Sequence, residues 1–121
     1  MNTTGLYRDE HLEINLPNAM VTVDDCRLVL TRKEFELLAM LSANEGEILP
    51  RNVLLDRIWG YSKEIRTRTL DVHIRRLRKK FGNYGDCYIQ TIFGVGYRFQ
   101  RYREPRAVST FNTPMMVAAT A

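Results

Sequence analysis

The chain has no long apolar run and little cysteine or histidine, and each shortage removes a class of protein. No apolar stretch approaches the roughly 20 residues that a bilayer span needs. The opening Met1-Asn2-Thr3-Thr4-Gly5 lacks the basic start and greasy middle of a secretion signal. A soluble, cytoplasmic protein without a membrane partner is therefore expected. Cys26 and Cys87 stand far apart, which does not suit the disulfide framework of a small secreted domain. Zinc needs Cys or His pairs a few residues apart, and His11 and His73 are the only histidines. No metal and no cofactor are expected, and both thiols should be buried or half-buried, as free cysteines usually are. No nucleophile–base pair or paired carboxylate stands out, so an enzyme is not expected. Acidic residues are also scarce in one region. Positions 66–103 hold ten lysines and arginines against Asp71 and Asp86 alone, a net of +8, while the remainder carries −4. Such polarity implies a basic face, and basic faces commonly meet polyanions.

What is present begins as short strands. Residues 12–16, Leu-Glu-Ile-Asn-Leu, alternate apolar and polar in the manner of a half-buried strand. Pro17-Asn18 signals a turn, residues 19–23 a second strand, Asp24-Asp25 another turn and residues 26–30 a third strand. With residues 6–8 as a further strand, a small antiparallel meander is predicted.

At Thr31 the period changes. Thr31 can cap a helix and Glu34 completes a capping box, with Phe35, Leu37, Leu38 and Leu41 as the apolar stripe. Asn44-Glu45-Gly46 ends that helix. After an extended Ile48-Leu49, Pro50 suits the first turn of a second helix, which buries Leu54, Leu55, Ile58 and Trp59 and stops at Gly60. A polar connector spans 61–66. Thr67 can cap a third helix, with Asp71 near its positive end and Leu70, Ile74, Leu77 and Phe81 as its core stripe. Residues 82–85 break it. Residues 88–93 and 97–101 read as strands joined by Gly94-Val95-Gly96, a hairpin in which the glycines are turn formers and imply no nucleotide-binding loop. Residues 104–121 have no clear period and are expected to be a disordered tail, leaving a single domain over 6–103.

The third helix carries the chemistry. On a wheel of about 100° per residue centred on Leu70, the apolar stripe lies within roughly 40°, Arg68, Val72, Arg75 and Lys79 fall at roughly 140–200°, and Arg76 at roughly 240°. Arginine's planar fork can contact guanine or grip a phosphate, and Val72 suits a thymine methyl. A charged outer face is often merely solvated, but solvation normally mixes both signs and acids are missing here. A calmodulin-type or membrane-surface helix would keep its apolar stripe free for the partner. Three helices, the last two joined by a short connector, followed by a hairpin, spell helix-turn-helix plus wing.

Residues 30–38, Leu-Thr-Arg-Lys-Glu-Phe-Glu-Leu-Leu, resemble the effector domains of OmpR/PhoB-family response regulators. So do Ile58-Trp59-Gly60-Tyr61, the helix over 68–80 and the hairpin run Gly94-Val95-Gly96-Tyr97-Arg98-Phe99. The resemblance, over about residues 6–102, implies an α+β winged helix-turn-helix with an N-terminal four-stranded antiparallel sheet, three helices and a C-terminal β-hairpin wing. It implies sequence-specific binding of double-stranded DNA for transcription regulation, on direct repeats, with a head-to-tail homodimer. Arg68, Thr69, Val72, Arg75 and Arg76 match major-groove positions. Trp59, His73, Arg78, Thr91 and Tyr97 match phosphate-contacting positions, to which Arg66, Lys79 and Arg98 are added as cations of the basic segment. Tyr61, Ser62, Lys63 and Glu64 fall on the loop that meets RNA polymerase in activators of the family. Each position has a plainer reading. His73 could make a structural hydrogen bond, Trp59 could be core, and Thr91 and Tyr97 could be simple strand residues. The alternative function is a winged-helix protein-interaction module without DNA binding.

Two departures stand out. Many family members place an Arg at the wing tip, where this chain has Phe93 beside Gly94, Val95 and Gly96. A neutral ring lacks a cation's attraction to a narrow minor groove, so it either packs on sugars, wedges a base step or joins the hairpin's apolar face, with Arg98 as a partial substitute. The acidic cluster and phosphoacceptor of a receiver domain are absent from the sequence, which reads either as an excised effector domain or as a stand-alone regulator, with phosphorylation control, if any, outside these residues.

Overall fold

A computed structural model describes residues 5–60 and 67–102. The connector over 61–66 and the tail over 104–121 lie outside those residues. Strands β1 (Leu6–Arg8), β2 (Leu12–Asn15), β3 (Met20–Val23) and β4 (Cys26–Leu28) form a four-stranded antiparallel sheet in sequence order. Its register sets Leu12 opposite Val23 and Ile14 opposite Val21, so these four side chains share one buried apolar face of the pleat. Asp24 and Asp25 both have positive φ, 49° and 67°, which makes the β3–β4 connection a two-residue turn that short polar side chains tolerate.

Helix α1 (Arg32–Ala43) begins with the expected capping box: Glu34 N–H donates to Thr31 Oγ1 at 3.2 Å, and Thr31 N–H donates to Glu34 Oε1 at 2.9 Å. Strand β5 (Ile48–Pro50) follows, then α2 (Arg51–Trp59) and α3 (Thr67–Phe81). Pro50 precedes α2 as its N-cap, in extended conformation, and does not occupy the first turn where the sequence placed it. Leu54 and Ile58 are buried, while Leu55 and Trp59 are half-buried against the core. Thr67, expected as the cap of α3, is that helix's first described residue. Leu70, Ile74, Leu77 and Phe81 are buried as the periodicity requires, and α3 packs on both α1 and α2.

The break at 82–85 is more ordered than expected. A 3-10 turn (Gly82–Tyr84) runs into a short helix α4 (Gly85–Tyr88), so Tyr88 belongs to a helical turn and not to the hairpin. Strands β6 (Ile89–Ile92) and β7 (Gly96–Phe99) form the hairpin, and β5 pairs with β7, giving a three-stranded sheet in the order β5-β7-β6. Local sequence marks stretch 48–49 only as extended. Its pairing with β7 was not visible locally because about 50 residues separate the partners. Both cysteines correct the expectation of burial, since Cys26 and Cys87 are free and exposed. Cys26 starts the edge strand after the Asp24-Asp25 turn, and in α4 the neighbouring Tyr88 takes the core position.

The two sheets and the helices share one core. Tyr88 stacks on Phe99 at 5.7 Å, and Tyr7 meets Phe99 edge-on at 5.2 Å. Across this seam, Asp9 accepts five hydrogen bonds: from the hydroxyls of Tyr7 and Tyr88 and from the amides of His11, Leu12 and Tyr102. No helix among the described residues is long and apolar enough to cross a membrane.

Candidate nucleic-acid interface

The basic segment sorts into occupied and free cations. Lys80 Nζ donates to Glu34 Oε1 at 2.6 Å and to Val29 O at 2.9 Å, tying the end of α3 to the start of α1. Glu34 is only 1% exposed, and burial by itself would raise its carboxyl pKa. The hydrogen bonds from Lys80 and Thr31 outweigh that and hold it below its ordinary value. Arg78 donates through Nε and Nη2 to Ile89 O, at 3.0 and 2.8 Å, and through Nη2 to Thr91 Oγ1 at 2.7 Å. It clamps α3 onto β6. Two of the residues matched to phosphate positions, Arg78 and Thr91, thus hold each other.

Tyr97 is 4% exposed, and its hydroxyl donates to Asp71 Oδ1 at 2.6 Å. Arg51 donates to the other oxygen of Asp71 and, at 3.5 Å, to Tyr97 Oη. The guanidiniums of Arg51 and Arg78 both lie over the Tyr97 ring, 5.7 and 5.8 Å from its centroid. Burial pushes the Asp71 carboxyl up, but hydrogen bonds from Tyr97 and Arg51 bring it below the usual carboxylate range. The same bonds hold the Arg51 guanidinium above its ordinary value, with the Asp71 hydrogen bond as the main cause. So the one acid of α3 is neutralised where it stands, and α2, α3 and β7 are locked together. Arg51 was missed from the sequence because its partners lie 20 and 46 positions away.

On the opposite face, Arg68, Arg75, Arg76 and Lys79 are exposed, with Thr69 and Val72 half-buried between them. Among the described residues no carboxylate pairs with any of these four cations. His73 lies on the flank, its Nδ1 2.8 Å from Thr69 O. Because a carbonyl only accepts, Nδ1 carries the proton. Its ring meets Trp59 edge-on at 4.8 Å, and the two remain half-buried beside the free face. The plainer structural reading of both is therefore satisfied without closing them to solvent.

In the wing, Arg98 donates to Gln90 Oε1 at 3.1 and 2.8 Å across the hairpin and stays half-exposed. Phe93 and Val95 are exposed at the tip, Gly94 takes a φ of 78° in the turn, and Gly96 is buried in β7. Arg66 and the loop candidates Tyr61, Ser62, Lys63 and Glu64 lie outside the described residues. Among the described residues no cluster of three His, Cys, Asp or Glu side chains could hold a metal ion.

Comparison with known proteins agrees with this architecture. Residues 25–99 match the family described as "Transcriptional regulatory protein, C terminal". The chain is 46% identical to the transcriptional regulatory protein HprR of Escherichia coli K12 over 80 residues, 65% of this chain and 36% of that protein. It is 40% identical to the response regulator ArlR of Staphylococcus haemolyticus over 87 residues, covering 71% and 40% of the two chains. It thus spans about two fifths of the length of the curated relatives it matches. Among solved structures, the Thermotoga maritima OmpR/PhoB homologue DrrB superposes with a TM-score of 0.72 at 35% identity, over 79% of this chain and 44% of that one. The Klebsiella pneumoniae RstA DNA-binding domain, solved in complex with the RstA box, gives 0.69 at 31% identity over 78% and 96%. A buried apolar stripe, a free cationic face and a hairpin wing, matched over more than half the chain, place it in the family of C-terminal domains of OmpR/PhoB-type transcriptional regulators.

Proposed function

We propose that this chain, as a domain over 6–103, binds double-stranded DNA sequence-specifically in the cytoplasm to regulate transcription, with α3 in the major groove. The observation that carries the reading is the row of Arg68, Arg75, Arg76 and Lys79. Among the described residues these four cations are exposed and paired with no carboxylate, on a helix whose other side is held by the core and next to neighbours on α3 (Arg78, Lys80, Asp71) that are all engaged. An α-helix fits the major groove, and guanidiniums there read guanine edges. Arg68, Thr69, Val72, Arg75 and Arg76 face the bases. Trp59, Arg66, His73, Lys79 and Arg98 meet phosphates. Arg78, Thr91 and Tyr97 serve by fixing α3 against the wing, since their polar atoms are satisfied internally. That a domain 31% identical was solved with its RstA box supports this reading. Direct-repeat sites filled by two copies head to tail, and a polymerase contact through residues 61–64, belong to the same proposal.

Selection from random duplexes supplies the probe. Arg75→Ala and Arg76→Ala should each weaken binding to an enriched duplex by about 1–3 kcal/mol, with unchanged melting, because neither side chain is packed. Enriched-site affinity that matches wild type in both variants would remove them from the base-reading set. Log affinity should also fall with log salt at about 0.9 per phosphate contacted, a slope of about −3 or steeper. A flat salt response would instead favour a protein-interaction module.

A further inference from the structure

We propose that Phe93, at the wing tip, is an apolar wedge that packs into the minor groove beside the site held by α3, so that affinity depends on how easily the flanking base steps deform. The proposal rests on the major-groove reading of α3 given above. Phe93 is 90% exposed, which excludes a place on the hairpin's buried face. The tip is a tight turn: Val95 N–H donates to Ile92 O at 2.9 Å, and the positive φ of Gly94 sets its third position. That turn puts Phe93 at the outer corner, with Val95 exposed beside it.

The ring is also held at a fixed offset from α3. The backbone N–H of Arg51 donates to Val95 O at 3.1 Å while its guanidinium grips Asp71 of α3. Arg78 of α3 grips Ile89 and Thr91 at the other end of the hairpin. From Ile89 to Phe93 an extended strand reaches about 13 Å. That approaches the roughly 17 Å, half a helical turn, between a major groove and the next minor groove. The groove running beside Phe93 is lined by Arg78, Thr91 and Arg98, with Asp86 as its one carboxylate. Arg98, half-exposed on that groove beside a bare aromatic ring, suits a phosphate track beside sugars. A protein partner's apolar pocket would more usually be met by an interface core depleted of charge.

A neutral ring gains nothing from the negative potential of a narrow A-tract groove. It gains by contact with sugars and by parting a weakly stacked step, which pyrimidine–purine steps allow most easily. The test uses the whole chain and single-site duplexes with the enriched core, flanked at the wing side by a TA step or by an A-tract. Wild type should prefer the TA flank by about tenfold, equivalent to one or two buried apolar contacts. Phe93→Ala should lose that preference and about tenfold of its affinity for the TA-flanked duplex, at an unchanged salt slope and melting temperature. Phe93→Arg should turn the preference toward the A-tract and steepen the salt slope by about one. Unchanged affinity in Phe93→Ala, or a flank preference that survives it, would overturn the wedge alone. So would a loss seen only on two-site duplexes, since that assigns the ring to a second copy. Wild type that binds no duplex would overturn the reading of α3 and the wedge with it.

Discussion

Gly96→Ala is expected to cost about 3 kcal/mol or more, enough to lower the melting temperature by about 10 °C or more. A methyl at Gly96 would lie 2.0 Å from the carbonyl oxygen of Leu49 and 2.9 Å from its carbon and from Pro50 Cα. These are backbone atoms of a paired strand, so no side-chain rotation relieves the overlap. β5 must leave β7, and with it go the register that sets Pro50 opposite Gly96 and the start of α2. Because Arg51 carries both the Val95 contact and the Asp71 contact, the wing and α3 should lose their common frame. DNA affinity of the folded fraction should therefore fall as well. Gly94→Ala provides the contrast. Nothing lies within 4 Å of a methyl there, and only the positive φ of 78° opposes it, at about 1–2 kcal/mol. Urea unfolding of the two variants decides the matter: a Gly96→Ala protein no less stable than Gly94→Ala would mean that the sheet accommodates the methyl.

The parts of this fold that were legible in the sequence are those set by local periodicity. The alternation in β2 and the capping box of Thr31 and Glu34 involve partners a few positions apart, as does the apolar stripe of α3, and each occurs as read. The same wheel could also have sorted the cations. Arg78 and Lys80 sit roughly 80° to either side of Leu70, where a long side chain reaches a neighbouring element, whereas Arg75 and Lys79 at roughly 140–180° reach none. Their engagement with β6 and α1 follows that geometry. What stayed hidden depends on distant partners. Arg51, Asp71 and Tyr97 come from three elements, and Asp71 alone reads as a residue near a helix N-terminus. The tyrosines that converge on Asp9 lie up to 93 positions away in the chain. The exposure of Cys26 and Cys87 is hidden from the sequence for a related reason: residue type predicts average burial, but strand edge and helix phase decide the individual case.

Asp9 should be the residue whose loss costs most among the polar side chains of the N-terminal sheet. Burial would push its carboxyl up, but hydrogen bonds from Tyr7, Leu12, Tyr88 and Tyr102 outweigh this and hold it below the ordinary value. Reciprocally, burial first and the Asp9 hydrogen bond second drive the Tyr7 and Tyr88 phenols far above their ordinary range. Asp9→Asn presents an amide donor where hydroxyl and backbone donors converge, and Tyr88 is fully buried with no water to turn to. A loss of about 3–5 kcal/mol is expected, a large part of the stability of a domain this size. The pH dependence has a definite sign. A carboxylate depressed in the fold contributes fully above its unfolded value near 3.9, and its contribution fades as pH falls through the folded value. Glu34 and Asp71 are depressed too, so Asp9→Asn should shallow the acid limb below about pH 5 without abolishing it. The phenols behave oppositely: their contribution is complete below about pH 10 and is lost only as pH rises further. Unfolding free energies at pH 3 to 7 would show the change. An acid limb as steep in Asp9→Asn as in wild type would place the titrating carboxylate elsewhere. The hydrogen bonds of Asp9 join the N-terminal sheet to the hairpin base, and none of these partners is on α3. DNA affinity measured well below the variant's melting temperature should therefore match wild type, separating what holds this domain together from what it reads with.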